Sequence, residues 1–106
     1  PYEHLRSVAE IVRHHHERYD GTGYPDGLKG EAIPLGARIV SVVDAFDAMY
    51  YGRPYRSARS WEDVREEVYR SRGSQFDPKV TEMFLSLDWP RVLEKLLAED
   101  QARAHE

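Results

Sequence analysis

No cysteine occurs in this 106-residue chain. Disulfides and thiolate sites are therefore excluded, and any metal must be held by histidine and carboxylate. No apolar run reaches the roughly 18 residues of a membrane-spanning helix, and no basic-then-apolar leader opens the chain. The 15 Lys and Arg are outnumbered by 19 Asp and Glu, giving a formal net charge of −4. The basic residues form no dense run, so a DNA or RNA footprint is not supported, although local arginines remain available for one small anionic ligand. Strand-type alternation is missing throughout, as is any internal repeat. These absences leave a soluble cytoplasmic helical domain as the expectation. At this length it is one small domain or a piece of one, burying on the order of two-thirds of its unfolded surface. The start at Pro1-Tyr2, without Met and almost at once helical in pattern, suggests an internal cut in a longer protein.

What the chain does contain is helical periodicity interrupted by one long irregular stretch. A first helix is expected over about 4–18, with Leu5, Val8, Ile11 and Val12 on one face, stopped by Asp20-Gly21. Residues 20–34 hold Gly21, Gly23, Gly27, Gly30, Pro25 and Pro34. Irregular loops of such length inside a compact domain tend to be functional or disordered. A strongly apolar second helix is expected over about 34–51, broken at Gly52. Ser60-Trp61-Glu62-Asp63 reads as a capping box for a third helix ending at Gly73. Asp77-Pro78 reads as N-cap and first-turn proline of a fourth, through about residue 87. Trp89-Pro90 starts a fifth, with Val92, Leu93, Leu96 and Leu97 on its apolar side, and residues 99–106 form a polar tail expected to fray.

Between helix and loop stand three consecutive imidazoles, His14, His15 and His16. At about 100° per residue, His15 and His16 fall inside the apolar arc of the first helix and His14 falls opposite, facing water. Two inward imidazoles need partners for their ring nitrogens. They are either hydrogen-bonded core residues or, as borderline ligands, part of a metal site. On the second helix Asp47 lies within the apolar arc and Asp44 at its edge, and the helix is expected to be packed on most sides. Buried carboxylates must be paired, protonated or metal-bound. Pairing with Arg38, Arg53 or Arg56 suits one of the two. Adjacent histidines diverge around the helix axis, so they can serve two ions of a multinuclear centre. Arg53 and Arg56 can clamp a phosphate or be solvated surface groups. Tyr24 can offer a hydroxyl or stack on a base, or simply anchor the loop.

The run from His15-His16-Glu17-Arg18-Tyr19-Asp20-Gly21-Thr22-Gly23-Tyr24-Pro25 to Asp26-Gly27-Leu28 resembles the signature of HD-GYP domains. These are bacterial metal-dependent phosphodiesterases that hydrolyse the second messenger cyclic di-GMP. The similarity continues through Lys29-Gly30-Glu31-Ala32-Ile33-Pro34, Ala37-Arg38-Ile39, Asp44-Ala45-Phe46-Asp47-Ala48, Arg53-Pro54-Tyr55-Arg56 and Gln75-Phe76-Asp77-Pro78. It covers roughly residues 5–85. The resemblance implies an all-α, HD-like helical domain represented by its C-terminal helices, residues 1–98 being that part and 99–106 the tail. It further implies that His15, His16 and Asp44 are metal ligands of a two- or three-ion iron or manganese cluster. Tyr24, Arg53 and Arg56 would contact the phosphates or guanine of cyclic di-GMP. Asp47, Gly21, Gly23 and Pro25 would have supporting, structural roles. The products would be linear pGpG or GMP.

The family's His-Asp pair has no counterpart, since no His-Asp dipeptide occurs in the chain. Three protein ligands do not assemble a whole centre, so the chain alone is expected to be inactive. The alternative is a non-catalytic interaction module whose Gly-Tyr-Pro loop docks a partner such as a GGDEF-type domain. Missing N-terminal helices would leave apolar surface on the first two helices, from which self-association is expected.

Overall fold

The computed structural model describes residues 2–104, which form five α-helices and a short 3-10 turn: α1 (Tyr2–His14), the turn Gly30–Ala32, α2 (Leu35–Tyr51), α3 (Trp61–Arg70), α4 (Pro78–Leu85) and α5 (Trp89–Ala104). The domain is all-helical. Among the described residues the only β-type pairings are isolated bridges at Arg53–Arg56 and Arg72–Phe76. Among the described residues, no helix is long and apolar enough to cross a membrane.

Helix α2 is the central element, packing against α1, α3 and α4, while α3 also packs on α4. Their shared core is Val42 and Phe46 of α2, Val64 and Val68 of α3, Phe84 of α4, and Phe76 from the segment before α4. The spacings 42/46 and 64/68 are one helical turn each, which is why each pair projects to one side of its helix. Phe46 is the hub of an aromatic cluster, stacked on Tyr50 at 5.3 Å and edge-on to Phe84 at 5.5 Å and Trp61 at 5.8 Å. Burying one such ring contributes on the order of 2–3 kcal/mol.

The expected caps are present. Ser60 Oγ accepts from the Asp63 amide at 3.1 Å. The Asp77 carboxylate accepts from the amides of Lys79 (2.7 Å) and Val80 (3.2 Å), with Pro78 opening α4. The same carboxylate accepts from Arg38 Nη1 at 2.8 Å, tying α4 to α2 in a largely buried pair. Burial alone would raise the Asp77 pKa. The hydrogen bond from Arg38 and the two amides outweigh it and hold the carboxyl below its usual range.

Two of the expectations need correction. Helix α1 stops at His14, short of residue 18. Helix α2 is not covered on most sides: Leu35, Ile39, Val40 and Val43 are exposed, as are Leu5, Val8 and Val12 of α1. Together these side chains give α1 and α2 an exposed apolar surface. Helix α5 continues to Ala104, across most of the stretch expected to fray. It touches the core mainly through Trp89 and Leu93, and Trp89 Nε1 donates to the Phe84 carbonyl at 2.7 Å.

Candidate functional site

The end of α1 determines where each imidazole goes. Beyond His14 the chain turns, with the Glu17 amide donating to the His14 carbonyl at 3.0 Å. Helical phase therefore no longer governs His15 and His16, and the expected orientation is partly inverted. His14, expected in water, is 6% exposed. Its Nε2 meets Glu10 at 3.3 Å and its Nδ1 meets Glu17 at 3.1 Å. His15 is half-buried and His16 is exposed.

Glu17 organises the irregular loop. Its carboxylate is buried and accepts from the amides of Asp26 and Leu28, both at 3.0 Å, as well as lying against His14. Burial alone would raise its pKa. The Asp26 amide, the His14 ring and the Leu28 amide reverse that and hold the carboxyl below its ordinary value. The loop thus winds round one buried anion whose charge is met by oriented N–H groups. Arg13 braces the outside through a two-point contact with Asp26 at 3.0 and 3.2 Å. The near strand of the loop is tied to the segment before α4: Tyr19 N donates to the Gln75 carbonyl (3.1 Å) and Asp20 N to that of Ser74 (2.8 Å).

Gly21 and Gly23 have distinct reasons to be glycine. Gly21 has φ +86°, in the left-handed region. A Cβ on Gly23 would lie 2.6 Å from the His16 carbonyl oxygen and collide with the Arg18 amide. That close approach folds the Gly-Tyr-Pro segment back over the histidines, so that the Tyr24 ring stacks on His16 at 5.1 Å.

A cleft of about 260 Å³ opens there, and its walls include His15, His16 and Tyr24 from the turn and loop, with Asp44 from α2. Arg18, Ser41 and Gln75 line it as well; none of these was singled out from sequence. His15 Nδ1 lies 2.6 Å from the Val12 carbonyl oxygen. A carbonyl only accepts, so Nδ1 is the donor, and in the neutral ring Nε2 is the nitrogen with the lone pair, the tautomer typical of metal-ligating imidazoles. Asp44 is exposed and, among the described residues, in no ion pair.

The donor types fit a divalent metal. However, the ligand atoms of His15, His16 and Asp44 do not close to within 4.8 Å of one another. Among the described residues only His14, Glu17 and Asp26 do so. That trio is already consumed by the hydrogen bonds that hold the loop, which the sequence reading missed because Glu17 is buried by amides distant in the chain. Arg53, Arg56 and Asp47 stand outside the cleft lining. Asp47 has taken one of the weighed partners, Arg53, at 3.1 Å. Arg53 and Arg56 face each other across a tight turn, exchanging backbone hydrogen bonds of 2.8 and 2.9 Å.

The sequence profile of the HD-domain family matches residues 1–80. Over 77 residues the chain is 53% identical to the cyclic di-GMP phosphodiesterase response regulator of Xanthomonas campestris pv. campestris, a match covering 73% of this chain and 20% of that one. It is 46% identical over 84 residues to a cyclic di-GMP phosphodiesterase of Thermotoga maritima, covering 79% and 23% respectively. The solved structure of a cyclic GMP-AMP-specific phosphodiesterase of Vibrio cholerae aligns with a TM-score of 0.70 at 33% identity, over 92% of this chain and 22% of that one. The chain thus spans about a fifth of the length of the curated relatives it matches.

Proposed function

This chain belongs to the HD-domain family as an HD-GYP-type domain, and from that premise we propose that it contributes to metal-dependent hydrolysis of the phosphodiester bonds of cyclic di-GMP. Water would add to phosphorus and a ribose oxygen would leave, giving linear pGpG or, after both bonds are cut, GMP. The observation that carries this reading is the His15–Val12 hydrogen bond, which presents a lone-pair nitrogen on a residue lining the same cleft as His16, Asp44 and Tyr24. His15, His16 and Asp44 would hold iron or manganese. Bound there, the metal would supply Lewis acidity toward water and phosphate oxygen.

The chain's own groups do the rest. Val12 fixes the His15 ring, while stacking on Tyr24 restrains His16. Tyr24, 61% exposed, offers a face to a guanine base. Arg53 would exchange Asp47 for a substrate phosphate, with Arg56 beside it. Two histidines and one carboxylate that do not converge on a single point suit neighbouring ions completed by ligands from elsewhere. The chain alone is accordingly inactive.

The test is hydrolysis of cyclic di-GMP by the protein that carries this domain, with metal content measured on the same samples. His15→Ala, His16→Ala and Asp44→Ala should each lower turnover by at least about 10²-fold and reduce bound metal. Undiminished turnover in Asp44→Ala would sink the reading, and robust turnover by the isolated chain would sink its inactivity. The exposure of Tyr24 at the loop tip favours a second reading, an interaction module docking a GGDEF-type partner through that loop. It predicts binding that Tyr24→Ala abolishes without any hydrolysis.

A further inference from the structure

A larger cavity, of about 480 Å³, lies between α3 and α4 and shares no lining residue with the His15–Asp44 cleft. Two cations border it, Arg65 and Arg72. Neither has a carboxylate within 4.0 Å among the described residues. Arg72 is nevertheless held in place. Its guanidinium carbon lies 3.7 Å from the centroid of the Tyr69 ring, and Nη1 donates to the Tyr69 carbonyl at 2.8 Å. A guanidinium anchored this way keeps further N–H donors for a ligand and loses little freedom on binding.

Thr81 packs beneath the same cavity and is 1% exposed; its hydroxyl is sealed from the open space and has no hydrogen-bond partner among the described residues. A buried hydroxyl left without a partner is costly and rare in native proteins. Glu82 also borders the cavity, so the lining carries two positive charges against one negative. Leu85 and Pro78 supply an apolar wall.

We propose that this cavity binds a small organic anion. Its carboxylate or phosphate head is taken by Arg65 and Arg72, and its apolar body lies against Leu85 and Pro78. The site is separate from the hydrolytic cleft and does not depend on what that cleft does.

Calorimetric titration of the full chain with phenyl phosphate, benzoate and inorganic phosphate tests this. Phenyl phosphate or benzoate should bind saturably and more tightly than inorganic phosphate, and the tighter of the two identifies the head group. Arg72→Ala and Arg65→Ala should each weaken binding about tenfold. Arg65 is exposed, so its variant remains informative should Arg72→Ala disturb α3. Thr81→Val should leave binding unchanged and the melting temperature of the free protein unchanged or higher, because it removes a sealed, unpaired hydroxyl at constant shape. His15→Ala should leave binding untouched. No saturable binding of either organic anion at millimolar concentration, or binding that survives both arginine substitutions, would overturn the proposal.

Discussion

Glu17 is the residue on which the loop geometry turns. Its side chain is buried and gathers two backbone amides and one imidazole. Glu17→Ala strands those donors, and the expected loss is about 2–4 kcal/mol of stability. Glu17→Gln keeps the volume and an acceptor oxygen, so a loss of about half that is expected. Chemical denaturation measures both, and a Glu17→Ala change within about 0.5 kcal/mol of wild type would refute the role. Neither Glu17 nor the true places of His14 and His16 were legible from the chain. Helical phase assumes the helix continues, whereas here it ends at His14 and the Val12 carbonyl it leaves open is taken by His15 Nδ1. The burial of Glu17 depends on amides brought in by the fold, and no local pattern announces them. His15, His16, Tyr24 and Asp44 stand round one cleft, although their ligand atoms do not converge on one point.

Among the elements, α4 was the most readable, because its signals are local. Asp77 before Pro78 specifies an N-cap whatever lies elsewhere in the chain. What the sequence left open is that the same carboxylate also receives Arg38 of α2. Asp77→Ala removes a cap worth about 1 kcal/mol and strands a largely buried guanidinium. A total loss of about 3 kcal/mol, or roughly 12–24 °C in melting temperature, is expected. Asp77→Asn keeps the cap and should lose less; equal losses would show that the cap contributes nothing, and no loss in Asp77→Asn would show that the Arg38 charge pair contributes nothing. The pH dependence follows from the direction of the shift. The folded-state pKa of Asp77 is lowered, so its contribution is complete above the ordinary aspartate value of about 3.9. It is lost as pH falls from there through the lowered value. Asp77→Asn should flatten that part of an acid-unfolding curve; an unchanged acid limb would assign the loss to other carboxylates.

At the scale of the whole molecule, the core is small and one-sided. The Cα radius of gyration is 15.5 Å, above the ~13 Å of a compact chain near this length, with α5 reaching outward from Trp89. The exposed stripe Leu5, Val8 and Val12 on α1 and the row Ile39, Val40 and Val43 on α2 form apolar surface beyond what scattered residues need. Sedimentation should show self-association of the chain that persists or strengthens with added salt, since apolar contacts are not screened. Val8→Glu should shift the distribution toward monomer. A monomeric mass for the unmodified chain in dilute solution would count against this.

The tie between loop and helix body has a consequence for deuterium uptake. The amides of Asp26 and Leu28 end on the Glu17 carboxylate, and those of Tyr19 and Asp20 on the carbonyls of Gln75 and Ser74. An irregular segment would ordinarily exchange in the first moments in heavy water. These amides should instead exchange slowly, and in step with one another. Releasing the Glu17 carboxylate should then set the protons of Asp26 and Leu28 free together, so that the loop opens as a single unit.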